Sequence, residues 1–120
     1  MSLPDAGTLL LIHNPRCSKS RAAKALLEQR GARFDLRLVL EDPLSRDELT
    51  ELRRRLGRPA REWVRSGEPS FAAAGLGPDS GDAAVLDAIA KHPELLERPI
   101  LVRGDRAVVG RPPEKVLELI

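Results

Sequence analysis

The residue of this chain best suited to covalent chemistry is its single cysteine, Cys17. It directly precedes a stretch with the apolar spacing of a helix, Ser18 to Gln29. A cysteine at the first turn of a helix faces unpaired backbone N–H groups and the positive end of the helix dipole, and both favour the thiolate over the thiol. The flanking residues are polar or cationic: His13-Asn14-Pro15-Arg16 and Ser18-Lys19-Ser20-Arg21. We therefore predict a reactive thiol with a lowered pKa rather than a buried structural cysteine.

Arginines that the predicted fold places near this thiol indicate its substrate. Two Arg-Pro pairs, Arg98-Pro99 and Arg111-Pro112, bracket a predicted hairpin whose edge should lie beside the end of the first strand. A planar guanidinium binds two oxygens of a tetrahedral anion and neutralises charge that would otherwise repel a thiolate. We therefore predict an oxyanion substrate. Because Pro99 precedes a strand that faces the thiol, it is also a candidate for a cis peptide bond.

Spacing excludes several other kinds of cysteine site. Cysteine-dependent phosphatases need a longer loop between nucleophile and arginine than the three residues that separate Cys17 from Arg21. A Cys-x-x-Cys pair is absent because its fourth position is Ser20, so an oxidised sulfur needs an outside thiol to resolve it. One cysteine with two distant histidines, His13 and His92, does not provide a metal site. We expect neither a metal nor a bound organic cofactor.

His13 lies four residues before Cys17, at the end of the first predicted strand. Its imidazole can support the thiolate by charge or by a hydrogen bond, or it can be an ordinary structural histidine. The sequence leaves both interpretations open.

The first elements that position these residues form a βαβ unit. Thr8 to Ile12 is an apolar run typical of a central strand, and the helix that follows it ends at Gly31. Arg33 to Leu38 alternates polar and apolar residues, which predicts a second strand with one covered face. Strand, helix and strand in this order imply parallel pairing through a right-handed crossover.

The remainder of the chain predicts helices and then a hairpin. A capping box at Ser45 begins one helix, and Asp82 begins another. Two short strands, Ile100 to Arg103 and Arg106 to Val109, are joined by a two-residue turn. The prolines after Arg111 begin a last helix, whose inner face we predict to carry Val116, Leu117 and Ile120. The sequence thus predicts an α/β fold with a four-stranded mixed sheet (βαβ … ββα), in a single domain over residues 8–120 with an all-helical insertion at about residues 42–95.

Composition excludes some classes of partner. The 120 residues include 20 basic and 18 acidic side chains, interspersed along the chain, which does not indicate binding to nucleic acid or to a membrane surface. Phe34, Phe71 and Trp63 are too few aromatics to stack successive bases. The sequence shows no targeting or membrane-spanning segment, so we expect a cytoplasmic protein, and we expect a monomer.

From about Leu9 to its C-terminus, the chain resembles the glutaredoxin-coupled arsenate reductases, a branch of the thioredoxin-like fold with a helical insertion. The family signature His-Asn-Pro-x-Cys is present as His13 to Cys17, and Ser20 and Arg21 follow in the expected places. The resemblance places the three oxyanion-binding arginines at Arg65, Arg98 and Arg111. Arg65 is a candidate through the resemblance alone.

The resemblance implies that Cys17 attacks arsenate held by these three arginines, with His13 as its catalytic partner. Glutathione would then supply the external thiol, and glutaredoxin would clear the mixed disulfide that results. The residues that would support the site are Asn14, Ser20, Arg21 and Pro99.

Two features depart from the family pattern: Ser18-Lys19 stands where Gly-Thr is usual, and Arg16 adds a charge before Cys17. Lys19 could strengthen anion binding or alter the substrate. Two alternatives therefore stay open: a glutathione-dependent thiol oxidoreductase without arsenate activity, and a thiol-sensing module that binds a protein. The three arginines favour arsenate reduction, and the missing second cysteine argues against the sensor.

Overall fold

The computed structural model describes Leu3 and residues 8–120. Its sheet has four strands in the order β2-β1-β3-β4. Strand β1 pairs in parallel with β2 and antiparallel with β3, which pairs antiparallel with β4. The predicted four-stranded mixed α/β sheet is confirmed. The strands are β1 (Leu9–His13), β2 (Asp35–Leu38), β3 (Ile100–Arg103) and β4 (Arg106–Val109).

Helices connect and cover the strands. Helix α1 (Ser18–Gln29) joins β1 to β2, as predicted. Between β2 and β3 lie α2 (Arg46–Leu56), α3 (Pro69–Ala73), α4 (Asp82–Lys91) and two short 3₁₀ turns, Ala60–Glu62 and Pro93–Leu95. The insertion is helical apart from one antiparallel bridge between Val64 and Leu96. None of the helices described between residues 8 and 120 is long and apolar enough to cross a membrane.

The last helix is 3₁₀ rather than α and spans Pro113–Leu119. Its buried residues are Val116 and Leu119, whereas Ile120, which we predicted on the inner face, is 40% exposed. A 3₁₀ helix has three residues per turn, so side chains three positions apart share a face. That geometry explains why Leu119 takes the buried position expected for Ile120.

The sheet is covered on both faces because the side chains of β1 alternate between two apolar clusters. Leu10 and Ile12 belong to the cluster formed with the insertion, including Trp63 and residues of α2 and α4. Leu9 and Leu11 belong to the other cluster, with α1 and the C-terminal 3₁₀ helix. Burial on both sides accounts for the continuous apolar run of β1.

Strand β2 departs from its predicted pattern. It begins at Asp35 rather than Arg33, Leu36 is 41% exposed, and Arg37 is buried. Arg37 donates from Nη1 to Glu48 Oε2 at 2.8 Å and from Nη2 to Glu48 Oε1 at 3.0 Å. Because a buried charge is tolerated when it is paired and hydrogen-bonded, this bidentate pair allows the polar residue to take the inward position.

Candidate active site

The strand pairing brings three distant segments to one edge of the sheet. Ile12 at the end of β1 pairs with Ile100 at the start of β3, and Ile100 pairs with Val109 at the end of β4. The loop that carries Cys17 therefore leaves the sheet beside the segment that carries Arg98 and the segment that carries Arg111. This is the edge at which the sequence predicted that the thiol and the arginines would meet.

Cys17 is the N-cap residue of α1 and is partly exposed. Burial raises the pKa of its thiol, but hydrogen bonds from the backbone of Ser20 and Lys19, the Ser20 hydroxyl and the positive charge of Arg111 together hold that pKa below its usual value. The site therefore favours the thiolate, which is the nucleophilic form of cysteine.

Three residues that we predicted to support the site shape the loop around Cys17. The Asn14 carbonyl accepts from the Cys17 N–H at 3.0 Å, and the Asn14 side chain accepts from the Arg16 N–H at 3.0 Å. The buried Ser20 hydroxyl accepts from the Asn14 N–H at 3.4 Å. Arg21 donates from Nη1 to the Pro15 carbonyl at 3.0 Å, so its guanidinium contacts the loop.

Arg98 is the most buried arginine of the predicted site, with 6% of its surface exposed. Its Nη1 donates to the Glu94 carbonyl at 3.2 Å and to the Leu96 carbonyl at 3.3 Å. Its Nε is buried without a hydrogen-bond partner in the described part of the chain. Burial lowers the pKa of Arg98 and so does the charge of Arg65, whereas the negative charges of Cys17, Glu68 and Glu97 raise it.

Arg111 contacts the thiol directly, since its Nη2 lies 3.8 Å from Cys17 Sγ. Its Nε donates to the Arg98 carbonyl at 3.0 Å and lies 2.8 Å from Glu97 Oε1. Arg65 and Arg111 line one cleft of about 410 Å³, together with Glu68 and Glu97. The structure thus brings the three predicted arginines into one neighbourhood beside Cys17.

Two carboxylates in this neighbourhood, Glu68 and Glu97, were not identified by the sequence analysis. Glu68 lies 3.3 Å from Arg65 Nε, and Glu97 lies 3.3 Å from Arg65 Nη1. The only sequence signal for Glu97 is its position next to Arg98. Its contacts depend on the meeting of the insertion with the segment after β4, which a local pattern does not reveal.

His13 is buried at the end of β1, and its Nδ1 has no hydrogen-bond partner among the residues that the structure describes. Burial lowers the pKa of His13, and the positive charge of Lys24 lowers it further. A lowered pKa keeps the imidazole neutral near pH 7. Of the two kinds of support considered for His13, this environment disfavours support by charge.

Close packing holds the two arginine-bearing segments together. The Arg98-Pro99 and Arg111-Pro112 peptide bonds are both cis, and the first of these is the one that the sequence suggested. Gly110 donates its backbone N–H to the Pro99 carbonyl at 2.8 Å. A Cβ at Gly110 would lie 2.8 Å from Pro99 Cγ and 2.9 Å from Val116 Cγ1, so only glycine fits this approach without displacement.

Over Leu3 and residues 8–120, no three His, Cys, Asp or Glu side chains are grouped so that they could hold a metal ion. The nearby carboxylates face guanidinium groups instead. The chemistry that this arrangement can perform is attack by a thiolate on an anion bound by arginines.

A helix-capping thiol at the edge of a sheet of this order, in contact with an arginine that precedes a cis-proline, defines a thioredoxin-like protein. The ArsC family model matches residues 12–119, and the chain belongs to the ArsC family.

Similar proteins support both the thioredoxin-like fold and the membership of the ArsC family. A Haemophilus influenzae protein named arsenate reductase is 38% identical over 115 residues, which cover 94% of this chain and 99% of the relative. A Neisseria meningitidis serogroup A protein of the same name is 44% identical over 108 residues, covering 88% of this chain and 92% of the relative. The structure of an arsenate reductase from Vibrio cholerae superposes with a TM-score of 0.88 at 40% identity, over 97% of this chain and all of that one.

Proposed function

We propose that this protein is an arsenate reductase in which Cys17 is the nucleophile and Arg65, Arg98 and Arg111 bind the oxyanion. The observation that carries the proposal is the 3.8 Å contact between Arg111 Nη2 and the Cys17 sulfur, beside a buried Arg98 whose Nε is unpartnered in the described structure. Relatives named arsenate reductase, similar over nearly their whole length, support this choice of oxyanion.

In the first step the Cys17 thiolate attacks arsenic, a sulfur–arsenic bond forms, and one arsenate oxygen leaves as water after protonation. The arginines stabilise the negative charge that this addition places on the oxyanion. No formal reduction occurs in this step, because arsenic is still in its higher oxidation state.

Reduction requires electrons from outside the chain, since Cys17 is its only cysteine. An external thiolate, proposed as glutathione, attacks the Cys17 sulfur. A disulfide forms, the sulfur–arsenic bond breaks, and its electron pair stays on arsenic, which leaves as arsenite. A second thiol, proposed as that of glutaredoxin, then displaces the Cys17 thiolate from the mixed disulfide. We propose that a monomer carries out this cycle in the cytoplasm, without a resident metal or organic cofactor.

The test is a coupled assay with glutathione, glutaredoxin, glutathione reductase and NADPH, in which arsenate-dependent loss of NADPH is followed. Cys17→Ser should abolish turnover and keep the fold, because the hydroxyl has the size of the thiol but is not ionised. Arg98→Ala should lose most of the activity. Arg33→Ala, which removes an exposed arginine from the segment before β2, is the matched control and should retain it.

Arsenate-dependent turnover that survives Cys17→Ser would refute the nucleophile. A different result would favour the alternative function. In that result the protein reduces a glutathione mixed disulfide, the reaction requires Cys17, and arsenate has no effect on the rate. That result would identify a glutathione-dependent thiol oxidoreductase that keeps the arginine cluster for another purpose.

A further inference from the structure

One carboxylate oxygen joins the arginine cluster. Glu97 Oε1 lies 2.8 Å from Arg111 Nε and 3.3 Å from Arg65 Nη1, and it accepts from the Arg98 backbone N–H at 3.3 Å. Hydrogen bonds from Arg65 and from the Arg98 backbone, together with the ion pair to Arg111, thus converge on a single oxygen. This is the kind of contact that an oxygen of a tetrahedral anion would make with the same arginines.

These contacts engage guanidinium groups that a substrate would also use. Arg65 has Glu68 at its Nε and Glu97 at its Nη1, both at 3.3 Å. Arg111 has Glu97 at its Nε and the Cys17 sulfur at 3.8 Å from its Nη2. An oxyanion that engages these guanidinium groups must therefore share them with the carboxylates or displace the carboxylates from them.

Charge also opposes tight binding of an anion in the resting site. When Cys17 is the thiolate, the positive charges of Arg65, Arg98 and Arg111 are matched by that thiolate and the two carboxylates, so the group is then formally neutral. Glu97 is only 22% exposed in its side chain, and solvent therefore screens its charge incompletely. Without these carboxylates, the three arginines would give the site a net positive charge that favours the binding of small oxyanions in general.

We propose that Glu97 is a specificity-determining residue: an internal anion that competes with oxyanions for Arg65 and Arg111 and weakens the binding of those that do not react with Cys17. An unreactive oxyanion such as phosphate gains only noncovalent contacts, so competition by Glu97 reduces its occupancy. A substrate that forms a bond to sulfur gains that bond as well. Weak ground-state binding combined with strong stabilisation of the reacting state raises the turnover number. The inference deepens the proposed function and rests on it for the identity of the reacting oxyanion.

Glu97→Gln is the informative variant, because glutamine is close to glutamate in size, keeps an oxygen that accepts from the Arg98 N–H, and removes the charge. The assay measures how inorganic phosphate protects Cys17 from alkylation by iodoacetamide, and it needs no arsenate turnover. We expect the half-protecting phosphate concentration to fall by roughly threefold to tenfold. The pH midpoint of alkylation without phosphate should also fall, since Arg111, which contacts the sulfur, loses the carboxylate that partly neutralises its charge.

Two further variants separate this role from a structural one. Glu68→Gln removes the other carboxylate on Arg65 and should tighten phosphate binding by a smaller factor, because Glu68 has one arginine contact where Glu97 has two. Glu118→Gln makes the same change of charge at an exposed position of the C-terminal 3₁₀ helix and should behave as the unmodified protein.

The proposal is overturned if phosphate protects Glu97→Gln no better than the unmodified protein, or if the alkylation midpoint rises. Either result would mean that Glu97 aligns the arginines without competing for them. If arsenate reduction fails while Glu97→Gln and Glu68→Gln bind phosphate more tightly, the proposed substrate is wrong and the competition stands.

Discussion

Arg111 Nη2 lies 3.8 Å from Cys17 Sγ, although the two residues are 94 positions apart in the chain. The contact exists because β3 lies between β1 and β4, so the end of β1 and the end of β4 reach the same edge of the sheet. The Arg98 carbonyl accepts from Arg111 Nε at 3.0 Å, and Glu97 Oε1 forms an ion pair with the same nitrogen at 2.8 Å. The guanidinium is thereby oriented toward the sulfur.

Arg111→Gln should raise the pKa of Cys17, because it removes a positive charge that stabilises the thiolate. The thiolate forms above the thiol's pKa, so the pH midpoint of alkylation should move upward, by up to about one unit. The measurement is the rate of alkylation by iodoacetamide between pH 4 and 10. Arg33→Gln is the control that loses the same charge at an exposed position. An unchanged midpoint in Arg111→Gln would show that the charge of Arg111 does not act on Cys17.

Ser20→Ala should affect both the thiol and the fold. The Ser20 hydroxyl is buried, lowers the pKa of Cys17, and accepts from the Asn14 N–H. Its removal should raise the pH midpoint of alkylation only in part, because the backbone N–H groups of Lys19 and Ser20 remain to stabilise the thiolate. It should also lower the free energy of unfolding by about 1 kcal/mol, because a buried N–H loses its acceptor. Ser18→Ala is the control, at an exposed position of the same turn. Equal effects of the two substitutions on the alkylation midpoint would contradict a specific role for the Ser20 hydroxyl.

The sheet and the thiol could be predicted because their signals are local. The apolar run from Leu9 to Ile12, the capping box at Ser45 and the two-residue turn between β3 and β4 each specify an element from a few neighbouring residues. The order of those elements then fixes which ends of the strands meet. This is why the sequence predicts Arg98 and Arg111 at the same edge of the sheet as Cys17.

Features that depend on distant partners could not be predicted in the same way. Arg37 is buried because Glu48, 11 residues away, forms a bidentate pair with it, and no alternation of polar and apolar residues encodes that pairing. Arg65 lies in the insertion, whose path is set by packing, so the sequence pattern gave it no distinct signal. Glu97 contacts Arg65 and Arg111 only once three segments have met.

Glu48→Gln should destabilise the protein at neutral pH. Burial raises the pKa of Glu48, but hydrogen bonds from Arg37 and Ser45 and the positive charge of Arg37 hold that pKa below its usual value. A group whose pKa is lowered by folding stabilises the folded state above its unfolded pKa of about 4.3, and this contribution is lost as the pH falls through its folded pKa. We expect a loss of about 3 kcal/mol at pH 7, because Arg37 is left buried with weaker compensation.

Urea denaturation at pH 7 and at a series of lower pH values that passes below the folded pKa of Glu48 measures this effect. The difference between Glu48→Gln and the unmodified protein should shrink as the pH falls, since the unmodified carboxyl also becomes neutral. Glu41→Gln is the control, because Glu41 is exposed in the same loop region. A difference that stays constant with pH would show that lost packing, rather than lost charge, accounts for the destabilisation.

Gly110→Ala tests whether the close approach of the two arginine-bearing segments matters for the thiol. The new Cβ would lie within 3 Å of both the Pro99 ring and the side chain of Val116, which is fully buried, so neither neighbour can move away freely. Overpacking of this kind costs about 1–3 kcal/mol. Displacement of either segment should also move Arg98 and Arg111 relative to Cys17, which would raise the alkylation midpoint and weaken protection by phosphate. Gly77→Ala, where a Cβ meets nothing within 4 Å, is the control and should leave all three measurements unchanged. If Gly110→Ala lowers stability but leaves the thiol's reactivity and phosphate protection intact, the arginines are held by contacts other than the Gly110-Pro99 approach.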